Sequence, residues 1–423
     1  MAASERWRVH HLDVKSAFLN GDLNEEVYIK QPDGFVVQGN EKMVYKLSKA
    51  LYGLRQAPRA WNVKLDKVLK ELGFMKCKHE QAVYILHKSD TTLIIGVYVD
   101  DIIVTGPDEN HVNEFKNKMK LVFEMSDLGQ LSYYLGIEVD QQKNGITLKQ
   151  SAYAKELLKI AGMSECNSST WPMEHKLQLI RDEDGKEVNA TDYRRLIRSL
   201  QYLLHTRPDL GFSVGVASRY MEKPKESHLK AVKHILRYIK GSLNVGLIYR
   251  SGGDGKLVGY SDSSFGTDLT DRKGTTGTVF YMSGNFITWS SQKQRTVALS
   301  SCEAEFMAAT GAACQALWLG NLTSELTGRK AQCVKLMVDN EAAIQLMKNP
   351  VFHGRSKHID TKYHFIREYV EEGLICVEHV SGTMQWADIL SKALPRLKFS
   401  EMRNLLGSED LTDPSPHEGE NVN

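Results

Sequence analysis

LIIGVYVDDIIVTG, residues 93–106, sets two adjacent carboxylates, Asp100 and Asp101, between two runs of apolar β-formers. The runs 93–99 and 102–104 read as the arms of a β-hairpin, with the Asp pair at or beside its turn. Asp is common in turns, so a polar turn cap is the plain reading. The functional reading is that ionised carboxylates beside apolar strands are costly unless something cationic compensates them. Deciding between the two requires the rest of the chain.

At 423 residues the sequence is too long for one core, and two or three domains are expected. With 42% hydrophobic and 25% charged residues it has the composition of a soluble globular protein. No apolar run approaches the ~20 residues of a membrane span, so no membrane partner is expected. The start, MAASERWRVHHLDVKSAF, lacks the apolar core of a signal peptide. Cys77, Cys166, Cys302, Cys314, Cys333 and Cys376 are scattered without a CxxC pair. That spacing argues against a disulfide framework or cysteine zinc site and for a reducing, intracellular setting, cytoplasm or nucleus. His353, His358 and His364 likewise fit no common zinc spacing.

Net charge is only +2, but its distribution is uneven: residues 191–250 hold twelve Lys/Arg against four Asp/Glu. Within them, PKESHLKAVKHILRYIKG places Leu229, Val232, Ile235, Leu236 and Ile239 at helical spacing, with Gly241 as the stop. Lys230, Lys233, Arg237 and Lys240 decorate the remaining face. Such a face is usually a solvated one, and it points to phosphate only alongside a nuclease or polymerase site.

The organisation reads as four segments. Residues 1–150 mix short strands (82–86, 93–105) with helices (57–72, 111–123). Residues 151–250 are basic and mostly helical, after a connector at 165–189 that carries Trp171-Pro172. From 251 to 398 the pattern is a strand ending on Asp262, a hairpin turning at Ser283-Gly284-Asn285, and a helix from Cys302. A strand ending on Asp339 comes next, then helices from Glu341 and across 359–371, a strand LICVEHV and a last helix around 385–393. Three antiparallel strands, a helix and then parallel αβ units describe a mixed sheet with helices on its faces. Residues 399–423 are expected to form a disordered tail. The fold class is therefore α/β and α+β, multidomain.

Asp262, Glu305, Asp339 and Asp388 form a second acidic set. Two of them end strands, where side chains emerge at the rim of a sheet. Phosphodiester hydrolysis uses two divalent ions about 4 Å apart, and hard oxygen ligands suit Mg²⁺. Asp13, on the short apolar strand HHLDV, can join Asp100 and Asp101 in the same way, to activate a 3′-hydroxyl and clamp a triphosphate.

Ten motifs then occur in order: LDVKSAFLNGDL, LYGLRQAPRAWN, YVDD, LSYYLGIEV, TRPDLGFSVG, YSDSSFGTDLTDRKGTTG, ALSSCEAEF, VDNEAAIQL, KNPVFHGRSKHIDTKYHFIRE and QWADILSKALP. Over about Arg8 to Lys398 the chain resembles the reverse transcriptase and ribonuclease H region of the Pol polyprotein of copia-type LTR retrotransposons. The resemblance implies a reverse-transcriptase palm (1–150), a helical thumb/connection (151–250) and a ribonuclease H-like domain (251–398). It implies Asp13, Asp100 and Asp101 as metal-binding carboxylates of a polymerase, with Tyr98 beside them. Phe18 matches the aromatic under the sugar, Gly53 and Gln56 match the segment approaching the nascent base pair, and 131–139 matches a strand supporting the primer end. It also implies Asp262, Glu305, Asp339 and Asp388 as the metal-binding acids of a ribonuclease H. Glu305 is preferred to Glu303, which lies about 160° further round the helix. Mg²⁺, or Mn²⁺, would be the cofactor. RNA template, DNA primer, RNA–DNA hybrid and dNTPs would be the partners, with the basic segment tracking phosphates.

Departures from the family pattern are Arg198 where Gly is usual, Trp171-Pro172 where Thr-Pro is usual, and Ser264-Phe265 where an acid or small residue precedes Trp. The resemblance also implies an upstream fingers region with residues that grip the triphosphate, and the expectation is of an N-terminally truncated copy without it. The expectation is therefore an intact nuclease and a weakened polymerase. The alternative is a non-catalytic nucleic-acid-binding relic.

Overall fold

The computed structural model describes residues 1–88, 91–348 and 365–411. The chain forms two compact units, Met1–Leu131 with Glu325–Arg329, and Ser132–Ser324 with Lys330–Asn423.

The first unit is built on a six-stranded sheet in the order 75–76, 83–88, 91–98, 101–105, 9–14, 125–130, with antiparallel neighbours throughout. Strand Asp101–Thr105 alternates strictly, with Ile102 and Val104 buried. In strand Val9–Val14, Leu12 and Val14 join them in the core. Antiparallel sheets commonly pack one face and leave the other open. Here the covered face meets helices Ala57–Glu71 and Glu109–Val122, through Trp61, Leu65 and Leu69 and through Val112, Phe115 and Met119. The first helix carries Pro58 in its opening turn, where a missing N–H costs nothing. The second is capped by Asp108, whose side chain accepts from Asn110 N at 2.9 Å. Asp13 and Asp101 belong to the opposite set of the alternation and so lie on the open face. A separate two-stranded ribbon joins Asp22–Lys30 to Val44–Lys49.

The second unit contains two sheets. One is antiparallel, ordered 408–410, 245–250, 145–149, 137–142, 133–134. The other is mixed, ordered 285–293, 275–282, 257–263, 334–338, 375–379. Its first three strands are antiparallel and its last two parallel. Alternation along Thr275–Met282 divides the core between two faces. Phe280 packs under the alanine-rich side of helix Ser301–Thr327, with Ala309, Ala313 and Ala316. Val279 and Tyr281 face Leu210, Val214, Ile235 and Leu390, from the helical segment and the chain's last helices.

Several sequence-based boundaries move. The expected 1–150 unit ends at Leu131, because strands Ile137–Gln142 and Gly145–Lys149 pair in the second unit's sheet. The expected strand 131–139 is instead a tight hairpin, Tyr133–Tyr134 with Ile137–Gln142. Its two turn residues, Leu135 and Gly136, have φ of 46° and 79°, as a two-residue hairpin turn requires. Segments 151–250 and 251–398 share an apolar core, and the second segment has a further core of its own beneath helix Ser301–Thr327. The last expected helix, 385–393, shrinks to one turn, Asp388–Ser391, because Lys392 is extended and Pro395 begins a new helix, Arg396–Leu405. The expected tail from 399 is ordered through 411. Phe399 and Met402 are buried, and Ser408–Asp410 pairs with Val245–Leu247. Residues 412–423, part of the expected 359–371 helix, and His353, His358 and His364 lie outside the described residues. Residues 365–371 are helical.

Candidate active site

Two strands of the mixed sheet, Leu257–Ser263 and Val334–Val338, run parallel side by side and therefore present their carboxyl ends at one edge. Asp262 lies at the end of the first and Asp339 directly follows the second. Asp388 opens the one-turn helix Asp388–Ser391. The carboxylate oxygens of these three lie within 4.8 Å of one another, the only such acid, His or Cys set among the described residues. Asp262 and Asp388 are 1% and 2% exposed.

Glu305, in the second turn of helix Ser301–Thr327, completes the surroundings. Its Oε1 accepts from Ser263 N at 3.0 Å and from Ser263 Oγ at 3.2 Å. Its Oε2 is buried and has no hydrogen-bond partner. A buried carboxylate oxygen without a donor is a costly feature that a bound cation would resolve.

The electrostatics agree. Burial, reinforced by the neighbouring Asp262 and Asp339 charges, pushes Glu305 up to about 9. Burial, opposed by Lys392 and aided by Asp388, raises Asp262 to about 6, and burial also raises Asp339. Crowded, desolvated acids of this kind mark functional sites more often than structural ones. In chelator, Glu305 favours the folded state in its protonated form. Its stabilisation is full below its ordinary 4.5 and is lost as pH rises through about 9. The urea midpoint measured in EDTA should fall across that interval, and Glu305→Gln should flatten the fall.

Position is fixed by close backbone packing. Gly277 lies opposite Asp262 in the sheet. A Cβ on Gly277 would meet Ala387 O at 2.6 Å and Leu390 C at 3.0 Å. Gln385 Nε2 donates to Ser261 O at 2.9 Å, and Ser391 Oγ donates to Asp262 Oδ2. Gly277→Ala should displace the Asp388 turn and cost about 1–3 kcal/mol, the range for overpacking, read as a lower urea midpoint.

In the first unit, Asp13 and Asp101 face each other in register across strands Val9–Val14 and Asp101–Thr105. Asp100 lies in the turn, with its carbonyl accepting from Val14 N at 2.9 Å. The carboxylate of Asp101 is engaged by His11 Nε2 at 2.7 Å. The three acids are thus neighbours on one hairpin and its partner strand, but they are not gathered as tightly as the second set. Val99, at the hairpin apex, has φ of 55°, a strained value for a β-branched residue. Its carbonyl accepts from Trp61 Nε1 at 2.6 Å, which pins the apex to the helix beneath. Trp61→Phe keeps an aromatic in the core but removes that donor, so a loss of about 1 kcal/mol in urea unfolding is expected.

Phe18 is half-buried with its ring 4.7 Å from Tyr52, and Gln56 immediately precedes helix Ala57–Glu71. Gly53 has φ of 93° and open space around it, and Tyr98 is exposed. Arg198 is exposed on helix Ala190–Leu203. Sequence reasoning missed His11, Trp61, Ser263, Ser391, Lys392 and Lys398. The one available signal was the LSK that follows Asp388 within the last motif.

No helix among the described residues is long and apolar enough to cross a membrane. Residues 1–175 match the family model described as reverse transcriptase (RNA-dependent DNA polymerase). The chain is 38% identical over 407 residues to the retrovirus-related Pol polyprotein from transposon RE1 of Arabidopsis thaliana, covering 96% of this chain and 28% of the relative. It is 38% identical over 417 residues to the corresponding polyprotein of transposon TNT 1-94 of Nicotiana tabacum, covering 96% of this chain and 31% of the relative. The chain thus spans less than a third of the length of these polyproteins. A putative transposon Ty5-1 protein of Saccharomyces cerevisiae is 33% identical, covering 71% of this chain and 98% of that protein. Among solved structures, a foamy viral protease–reverse transcriptase in complex with double-stranded DNA superposes with a TM-score of 0.50 at 11% identity. The overlap covers 88% of this chain and 56% of that one, and at this identity it shows the fold alone. With a reverse transcriptase family match at one end, transposon relatives along its length and a multidomain α/β fold, the chain belongs to the copia-type retrotransposon Pol polyproteins.

Proposed function

We propose that the second unit hydrolyses the RNA strand of an RNA–DNA hybrid with Mg²⁺ or Mn²⁺, held by Asp262, Glu305, Asp339 and Asp388. The observation that carries this reading is a set of three aspartates within 4.8 Å, two buried and Asp339 half-buried, beside a buried glutamate oxygen that lacks any donor. When bound, divalent ions supply Lewis acidity and a lowered pKa for water at the scissile phosphate. The protein's part is to hold the acids. Ser263 orients Glu305, Ser391 orients Asp262, and the close contact at Gly277 fixes the turn that carries Asp388. A hybrid would be recognised by A-like shape and 2′-hydroxyls, not by sequence. Lys230 and Lys233, exposed on helix Glu226–Lys240, are suited to phosphate contact in a salt-dependent way.

For the first unit we propose an RNA-directed DNA polymerase palm. Asp13, Asp100 and Asp101 would be its metal carboxylates, and Phe18, Gly53, Gln56 and Tyr98 would face the template, primer and dNTP. A second reading has a specific observation behind it. Asp101 is committed to His11, and the three acids are not drawn together as tightly as the nuclease set. That favours nucleic-acid binding without polymerisation in this half. For either role we propose an intracellular setting, cytoplasm or nucleus.

A labelled hybrid incubated with the chain in Mg²⁺ tests the nuclease, and absence of cleavage in both Mg²⁺ and Mn²⁺ refutes it. Primer extension on an RNA template separates the two readings of the first unit.

A further inference from the structure

Two lysines reach into the acid pocket of the second unit. Lys392 Nζ lies 2.7 Å from Asp388 Oδ1 and 3.4 Å from Asp262 Oδ2, and Lys398 Nζ meets Asp388 Oδ2. Lys392 follows Asp388 by four residues, and Lys398 lies in the first turn of helix Arg396–Leu405. Side chains of Asp262 and Asp388 are 2% and 3% exposed, whereas that of Lys392 is 40% exposed. One ammonium therefore bridges two almost fully buried carboxylates from a flexible stem that leads out to solvent. Two buried carboxylates this close repel unless a cation lies between them, and the lysine supplies that charge from the same chain.

We propose that Lys392 is a tethered counter-cation, which keeps Asp262 and Asp388 assembled without a divalent ion and is displaced when one binds. This rests on the metal-dependent reading of the pocket. A divalent ion held by Asp262 and Asp388 would need the space that the ammonium fills, so the two cations would compete. The compact, strongly hydrated head and long stem of lysine suit such an exchange, since the departing charge can be rehydrated at the rim. Lys398, on the other oxygen of Asp388, can stay in place and hold that carboxylate throughout.

The unaltered full-length chain provides one test. Pulse acetylation with N-hydroxysuccinimidyl acetate, read by mass spectrometry at Lys392, should show protection in EDTA and a several-fold rise in labelling in Mg²⁺. Labelling that is unchanged or lower in Mg²⁺ overturns the proposal. Calorimetric titration with Mn²⁺ is the second test. Lys392→Met should bind about tenfold tighter than the unaltered chain, within the range that coupling between two ligands takes. It should also melt at a lower temperature in EDTA. Equal or weaker binding by the variant overturns the proposal. If, in a chain whose first-unit acids are silenced by Asp13→Asn and Asp101→Asn, Mn²⁺ binding is absent or survives Asp262→Asn, the nuclease reading falls together with this one. If binding is present and depends on Asp262, but Lys392 labelling does not respond to metal, the tethered-cation proposal alone falls.

Discussion

Asp262→Asn is expected to abolish hybrid cleavage while leaving the fold intact. Asparagine has nearly the volume of aspartate, so neither the pairing with Gly277 nor the packing beneath it is disturbed. What changes is charge and ligand chemistry at the most enclosed acid of the pocket, 1% exposed and bonded to Ser391 and Lys392. Altering an outer partner of a metal ligand typically costs about 10–100-fold, so loss of a central ligand should exceed that range. Single-turnover cleavage of a labelled hybrid in Mg²⁺, beside circular dichroism of the variant, measures both halves of the expectation. Cleavage within a few-fold of the unaltered chain would remove Asp262 from the catalytic set. The variant should also be at least as stable as the parent in EDTA, since it removes one of several mutually repelling buried carboxylates.

The second large effect lies away from the pocket. Arg207 and Asp209, from the TRPDLG motif, form a fully buried bidentate pair with bonds of 3.0 and 2.8 Å. Arg207 also donates to Ser242 O and Oγ, each at 2.8 Å, and Tyr238 donates to Asp209 Oδ2 at 2.6 Å. Each polar side-chain atom of the pair has a partner, which is the condition under which a buried ion pair is tolerable. Asp209→Ala strands a guanidinium that is 1% exposed, so a loss of about 3–5 kcal/mol is expected. Burial alone would raise Asp209, but Arg207 outweighs it and holds the carboxyl below its ordinary 3.8. Its stabilisation is therefore present above that value and is lost as pH falls through the lower folded one. Urea unfolding of the variant near neutral pH measures the loss. Arg207→Met with Asp209→Leu should recover much of it, because the pair is replaced by apolar volume and no charge is left unmatched.

That pair also shows where reading a sequence stops. Arg207 contributes to the positive surplus of residues 191–250, yet it faces the interior, while Lys230 and Lys233 on helix Glu226–Lys240 are exposed. A charge count carries no information on burial. Helical spacing does better. Val232, Ile235, Leu236 and Ile239, picked out by period, are all buried. Strand ends were legible too, because an apolar run that stops at an acid, as at Asp262 or Asp339, marks the rim of a sheet.

By itself, the sequence determined the family, the α/β character, the order of the elements and which acids to examine. All of these follow from local periodicity and short motifs carried by neighbours along the chain. Tertiary structure alone decided that three of the acids share one pocket and that Glu305 keeps a buried orphan oxygen beside it. It also decided that His11 takes Asp101, that Lys392 and Lys398 enter the site, and that residues 399–411 return to complete a sheet. Those outcomes depend on contacts between residues far apart in the chain. Periodicity marks which face of an element is apolar, but carries no record of which distant element or polar side chain that element will meet.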